Sequence, residues 1–324
     1  MGALVGIETE LELEMEMERG RVLVIIADPT RMATNAAAVA SILGAESLLA
    51  LMPIAIKQTP LSPLSTIWSR IGVSAILGGL LMSSDRRSAN DIRGSSVSSI
   101  AALGALNLAH VTSSFESFRH LPAGAAMALL YTYPLWIVLL DWSGTKETIG
   151  WMSLATVGAG LISLNPGVAS VPALHTQRSM RPTWGVFMGV VMAFTEAAMY
   201  TLLRTLGWTN PATSVWAVNA SAAVWLALAT LFVNEPATSG ETVSDTTLLA
   251  AFNGVVTFGG YWLRFYAVPR LAPVTYAYLS YAGIIAAFLW GLLFLGEKPG
   301  LSAMVGAALI LVSGMGIHGR VDRL

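Results

Sequence analysis

Two glutamates stand where an apolar chain has no need of acid: Glu46 in the stretch ILGAESLLAL and Glu196 in VMAFTEAAMY. Each falls near the middle of a run long enough to cross a bilayer, where an Asp, Lys or Arg costs roughly 2.5–3.5 kcal/mol on insertion scales and Glu is comparable. Something must offset that cost. A carboxylate facing a central cavity can bind a cationic group or carry a proton. The alternative is a structural acid held by an interhelical hydrogen bond or by Arg70, across the first hairpin from Glu46.

Other polar residues recur at helical spacing and could line the same cavity. Asn253, Thr257, Tyr261 and Arg264 follow one another at steps of four, four and three, which puts them on one helix face. Asn107, His110 and Ser114 do likewise. Tyr131, Tyr281, Tyr278 one turn before it, and Tyr200 one turn beyond Glu196 complete the candidate set for substrate or proton binding. Tyrosine is equally at home as an interface anchor. Arg264 sits close to the end of its run, so snorkelling to the headgroups is the plainer expectation for it and, similarly, for Arg70. Because Tyr200 accompanies Glu196 while Ala50 stands at the matching place after Glu46, Glu196 is expected to be the held acid and Glu46 the freer one.

Catalytic chemistry finds little support. With no cysteine, disulfides, thiolate metal sites and cysteine nucleophiles are excluded. His110 and His120 lack metal-ligand spacing, and His175 and His318 sit in polar ends, so no metal or cofactor is expected. No P-loop, dinucleotide fingerprint, H-E-x-x-H or Ser-His-Asp grouping occurs, so the chain reads as a non-enzyme and any transport as gradient-driven.

The elements that position these residues follow from composition. The 324-residue chain is 55% hydrophobic and only 11% charged, against roughly a quarter charged in soluble domains. That is a polytopic membrane protein whose solvent is the lipid bilayer. A formal charge of -1 with scattered basic residues gives no footprint for nucleic acid. At about 20 apolar residues per crossing, spans fall near 34–55, 65–83, 95–114, 121–140, 149–165, 183–204, 211–233, 247–266, 273–294 and 301–317. The fold class expected is therefore all-α, with ten transmembrane helices. Breaks such as KQTPLSP, SSDRRSANDIRG and NEPATSGETVSD carry the Pro, Gly, Ser and charge that end helices. Residues 1–33 read as an acidic tail without a signal sequence, and Gly6 stands where a myristoylation motif needs Ser or Thr. Small-xxx-small pairs at Gly185 and Gly189, Ser74 and Gly78, and Ser302 and Gly306 read as packing faces.

A shift of 150 residues lays Glu46 on Glu196, Leu121 on Leu271, Tyr131 on Tyr281, Glu147 on Glu297 and Gly150 on Gly300. The expected domains are thus a first five-helix repeat over 34–165, a linker over 166–182, a second repeat over 183–317 and a short tail over 318–324. An odd number of crossings per repeat inverts the second half, a construction used by secondary transporters. Of sixteen loop Lys and Arg residues, eleven fall on the side of the amino terminus, which places both termini in the cytoplasm.

The stretches LPAGAAMALLYTYPLWIVLLDWSGTKETIGWMSLATVGAGLISLNP and LAPVTYAYLSYAGIIAAFLWGLLFLGEKPGLSAMVGAALILVSGMG resemble the EamA-like ten-helix members of the drug/metabolite transporter superfamily. The pattern is a short turn, a helix, a Gly-Glu turn and a Gly-rich helix. The second copy keeps Gly296-Glu297, whereas the first has Lys146-Glu147, and the helix proline appears only as Pro134. The resemblance implies a carrier of a small polar organic metabolite working by alternating access around a midplane cavity. Proton-coupled export of organic cations or drugs is the alternative within transport. A non-transporting scaffold is the alternative outside it, and would show both acids tied up and no central pocket. Physically, Glu147 and Glu297 look like helix-start caps. The ninth span, YAYLSYAGIIAAFLWGLLF, holds no basic residue, which disfavours anionic substrates.

Overall fold

The computed structural model describes residues 29–83, 91–140, 155–162, 181–208, 210–232, 242–271 and 273–321. Among them every regular element is helical. In chain order these are α1 (Pro29–Leu49), α2 (Met52–Gln58), α3 (Pro63–Ser83), α4 (Val97–His120), α5 (Ala123–Leu130), α6 (Tyr133–Leu140), α7 (Pro182–Leu206), α8 (Pro211–Thr230), α9 (Val243–Phe252), α10 (Gly259–Ala267), α11 (Pro273–Ser280), α12 (Ala282–Leu295) and α13 (Leu301–Val321). Residues 155–162 are also helical. Five stretches are long and apolar enough to cross a membrane: Ala36–Gln58, Pro63–Ser83, Pro182–Leu206, Pro211–Thr230 and Tyr278–Leu295. Shorter apolar helices accompany them. The acidic tail up to residue 28, Lys146-Glu147, His175 and nearly all of the linker lie outside the described residues.

Helix ends follow local chemistry. Proline opens α3, α7, α8 and α11, where its missing N–H has no intrahelical partner to lose. Asn210 caps α8 by accepting the Ala212 N–H at 2.9 Å, and Gly207 ends α7 in the left-handed region at φ 67°. Three apolar helices are broken within their length. Pro53 lies just past the α1–α2 break, and Pro134 just past the α5–α6 break at Tyr131 and Thr132. The α11–α12 break falls at Tyr281. Between α9 and α10 the helix widens into a π-helical stretch over Asn253–Phe258, a device frequent at functional sites.

The bundle is inverted relative to a soluble protein. Large apolar side chains such as Ile76, Leu80, Leu248, Val255 and Ile285 are more than 60% exposed, as a lipid-facing surface requires. Arginine and glutamate are at its centre. α7 packs along α4, α8 against α3 and α4, α10 against α1, and α12 against α5 and α1. Backbones meet at small residues. A Cβ on Gly189 would stand 2.6 Å from Leu129 Cδ1, one on Gly185 2.8 Å from His120 Cβ, and one on Gly78 3.0 Å from the Trp216 nitrogen. Gly306 meets Gly158 equally closely. The small-residue pairs read from sequence thus include true contact faces.

Candidate functional site

α1, α7 and α10 each bring one charged side chain to the same buried point. Arg264 is 1% exposed, and Glu46 and Glu196 are fully buried. The Arg264 guanidinium grips Glu46 with two donors, Nε to Oε1 at 2.8 Å and Nη2 to Oε2 at 2.7 Å. Its Nη1 donates to Glu196 Oε1 at 2.8 Å. One planar cation therefore joins two acids, using the fork geometry that distinguishes arginine from lysine. Tyr131 donates its hydroxyl to Glu46 Oε2 from the α5–α6 break. Glycine at 283 leaves room for that hydroxyl, where any Cβ would collide with it. Tyr200, from α7, comes within 3.4 Å of Arg264 Nη1.

The network continues away from the triad. Glu196 Oε2 makes no hydrogen bond among the described residues and faces His110 Nδ1 at 3.4 Å. His110 Nε2 lies 3.3 Å from the Tyr261 hydroxyl, and Arg70 Nη2 donates to that hydroxyl at 3.2 Å. Arg70 Nη1 reaches Ser114 Oγ at 3.4 Å. Around this second arginine lies a cavity of about 20 Å³, bordered by Arg70, His110, Ser114, Tyr261, Arg264 and Met192. That is room for about one water. A wider vestibule of about 210 Å³ opens at the end of the bundle formed by Gly207, Trp208 and Pro269, with Tyr200 and Phe265 at its floor.

The opposite end is closed by a second ion pair. Gly296 ends α12 in the left-handed region at φ 60°, which swings Glu297 back toward the bundle. Glu297 Oε2 accepts the Ala123 N–H at 2.7 Å, capping α5, and Oε1 pairs with Lys57 at the end of α2. The expected cap is therefore real, but it serves a helix far away in sequence rather than the helix that follows. Glu297→Gln keeps an oxygen for Ala123 while stranding Lys57, whose side chain is 9% exposed. Removing one partner of a fully buried pair costs about 3–5 kcal/mol, and a lysine at a bundle end can extend toward water. The expected loss is about 1–3 kcal/mol by thermal melting in detergent, with part recovered in Lys57→Met/Glu297→Gln; an unchanged melting temperature would dismiss the pair.

The structure brings some of the candidate residues together and sets others apart. Glu46, Glu196, His110, Tyr131, Tyr200 and Tyr261 meet in one network. Asn107 does not: it donates to Asn219 Oδ1 at 3.2 Å and joins α4 to α8. Asn253 donates to Ser69 on α3 at 3.0 Å, and Thr257 to Asn253 at 2.9 Å and Met52 Sδ at 3.1 Å. The π-helical stretch is the reason, since its wider turn rotates Asn253 and Thr257 off the face that carries Tyr261 and Arg264. Tyr278 turns to α13 and donates to the Met315 carbonyl at 3.0 Å. Its neighbour Tyr276 is the buried one, with its ring centroid 6.5 Å from that of Tyr200. Tyr281 is buried 6.3 Å from Tyr131 ring to ring, and its hydroxyl makes no hydrogen bond among the described residues.

Two expectations are reversed. Arg264 does not snorkel and Arg70 does not reach Glu46; both are core residues. Glu46, held by three donors, is the more fixed acid, and Glu196 keeps an oxygen free. The signal that could have found Arg264 is charge balance: two acids inside apolar helices call for a cation at the same depth, and short of the terminal residues the spans offer Arg70 and Arg264. No group of three or more His, Asp or Glu residues suited to a metal occurs among the described residues.

A lipid-facing apolar exterior around a buried charge network defines a multi-pass integral membrane protein. Residues 183–317 match the model of the EamA-like transporter family, part of the drug/metabolite transporter superfamily. None of the curated proteins matches the sequence. Among solved structures, one titled simply as the crystal structure of a protein aligns with a TM-score of 0.57 at 18% identity, covering 90% of this chain and 99% of its own. At that identity the likeness concerns the fold alone.

Proposed function

We propose that this chain is a secondary transporter that moves a small polar organic metabolite by rocking two inverted five-helix halves about the Glu46–Arg264–Glu196 triad. The observation that carries the reading is the origin of the three charges. Glu46 comes from the first half, Arg264 and Glu196 from the second, so the strongest polar contact in the core is also the contact between halves. Breaking and remaking it lets the halves reorient about a fixed centre. Repeat-mates Tyr131 and Tyr281, both at helix breaks, support the inverted pairing. With both termini in the cytoplasm, the vestibule at Tyr200 faces the cytoplasm and the Lys57–Glu297 pair closes the far side.

A second reading, a non-transporting scaffold, has specific support: both acids are ion-paired and the central space holds about one water. Export of organic cations fits less well, because Arg264 already occupies the acids. The transporter and the scaffold separate in one experiment. Purified protein is melted against a metabolite library and then reconstituted for uptake. A ligand at 100 times its Kd should add about 2.7 kcal/mol of stability, and the same compound should accumulate in proteoliposomes. A library that shifts nothing, with no flux, sinks the transporter reading.

A further inference from the structure

Arg70 differs from Arg264 in what it lacks. It is 4% exposed, deep in α3, yet no carboxylate lies within 4 Å of it among the described residues. A guanidinium offers five N–H donors. Arg70 directs two of them at neutral hydroxyls, Ser114 at 3.4 Å and Tyr261 at 3.2 Å, and lies 5.8 Å and 5.9 Å from the Phe115 and Tyr261 ring centroids. A buried cation in such company is incompletely compensated, since hydroxyls and ring faces replace water poorly. It also borders the central cavity, whose other walls include the flexible side chains of Met52, Met127 and Met192. Methionine walls adapt to varied apolar shapes.

We propose that Arg70 is the receptor for the carboxylate of an organic acid, and that this anion, too large for the roughly 20 Å³ open in the closed arrangement, enters together with one proton as the halves part. The proposal rests on the transporter reading above and names its substrate class. Nη1 and Nη2 present the edge that binds a carboxylate through two parallel hydrogen bonds; Ser114, whose own hydroxyl hydrogen goes to the Val111 carbonyl at 2.7 Å, and Tyr261 hold that edge in place as acceptors. The methionines take the organic body. Charge balance supplies the proton. With His110 neutral, Arg70 and Arg264 offset Glu46 and Glu196, so an arriving monoanion leaves the pocket one charge negative. The proton goes to Glu196 Oε2, the carboxylate oxygen that makes no hydrogen bond. The groups facing that acid are Arg264 and Tyr261 from α10, His110 from α4, Tyr200 from its own helix and Tyr276 from α11, with Glu46 of α1 across Arg264. The absence of basic residues from the ninth span carries no weight against an anion, because α3 supplies the cation.

The test uses benzoate, pyruvate and acetate, with benzamide and inorganic phosphate as comparisons. In the parent, at least one carboxylate should raise the melting temperature and be taken up, faster with an inward proton gradient. Benzamide and phosphate should do neither. Arg70→Met should stay folded and lose affinity by about tenfold or more, and Arg70→Lys, which keeps the charge but not the fork, should fall between. Glu196→Gln should remove the gradient dependence. The inference is overturned if Arg70→Met binds the carboxylate as the parent does, if phosphate or only uncharged solutes bind, or if uptake ignores the gradient. Transport of uncharged solutes untouched by Arg70→Met would reject the inference and leave the transporter reading standing.

Discussion

Exchange of Arg264 for methionine is expected to destabilise the protein by about 3–5 kcal/mol, the usual consequence of removing one partner of a buried ion network. Methionine fills much of the volume, so the loss is electrostatic: Glu46 and Glu196, both fully buried, face each other across an apolar gap. Yield from detergent and melting temperature should fall together. The companion variant Glu46→Gln/Glu196→Gln/Arg264→Met leaves no charge within the triad, with Arg70 the one core cation kept among these four residues, and should regain part of the stability, because apolar or neutral replacements of whole buried networks are often tolerated. It should remain inactive in reconstituted uptake. If Arg264→Met melts like the parent, the triad is not what joins α1, α7 and α10.

The two acids should respond differently to Glu→Gln. Glu46 takes two donors from Arg264 and a third from Tyr131, and glutamine would turn an N–H toward one of them. A charged hydrogen bond contributes about 1.5–3 kcal/mol, so Glu46→Gln should lose about 3 kcal/mol or more. Glu196 takes one donor from Arg264, which the glutamine oxygen can still accept, and its second oxygen has none to lose. Glu196→Gln should therefore lose only about 1–2 kcal/mol while transport is abolished or uncoupled. Chemical melts of the two variants, beside uptake in proteoliposomes normalised to protein, measure both quantities. The reverse order of stability, or parent-like uptake from both variants at every pH, would contradict this account of the site.

Helix position was legible in the sequence because lipid imposes it: a chain must supply some 20 apolar residues per crossing and end each with turn chemistry. Glu46 and Glu196 were legible for the same reason, as costly exceptions to an apolar rule. The partner was not. Arg264 lies near the end of α10 at Ala267, and counting along one helix makes that look like an interface, whereas side chains from α1 and α7 pair with it in the core. Depth along a helix is a sequence property; burial by neighbouring helices is a tertiary one. The polar stripe failed at Asn253 and Thr257 because no residue pattern announces a π-helical turn. Likewise Tyr278 was placed one turn before Tyr281 as on an unbroken helix, whereas the chain breaks at Tyr281. Glu297 was recognisable as a cap from its place after Gly296, but that it caps α5 depends on a contact 174 positions away.

That separation along the chain also bears on how the protein is made. Glu46 and Arg264 are 218 positions apart. At about 5–20 residues per second, a ribosome needs roughly 10–45 seconds to pass from one to the other. Throughout that interval the first helices are already emerging with an acid in their midst and without the arginine that pairs with it in the finished bundle. Tyr131 arrives much sooner, and its hydroxyl is the early partner that the nascent first half can use. The contact that Arg264 makes with α1 is thus among the last of the buried ion pairs to become available, completed only when α10 has been synthesised.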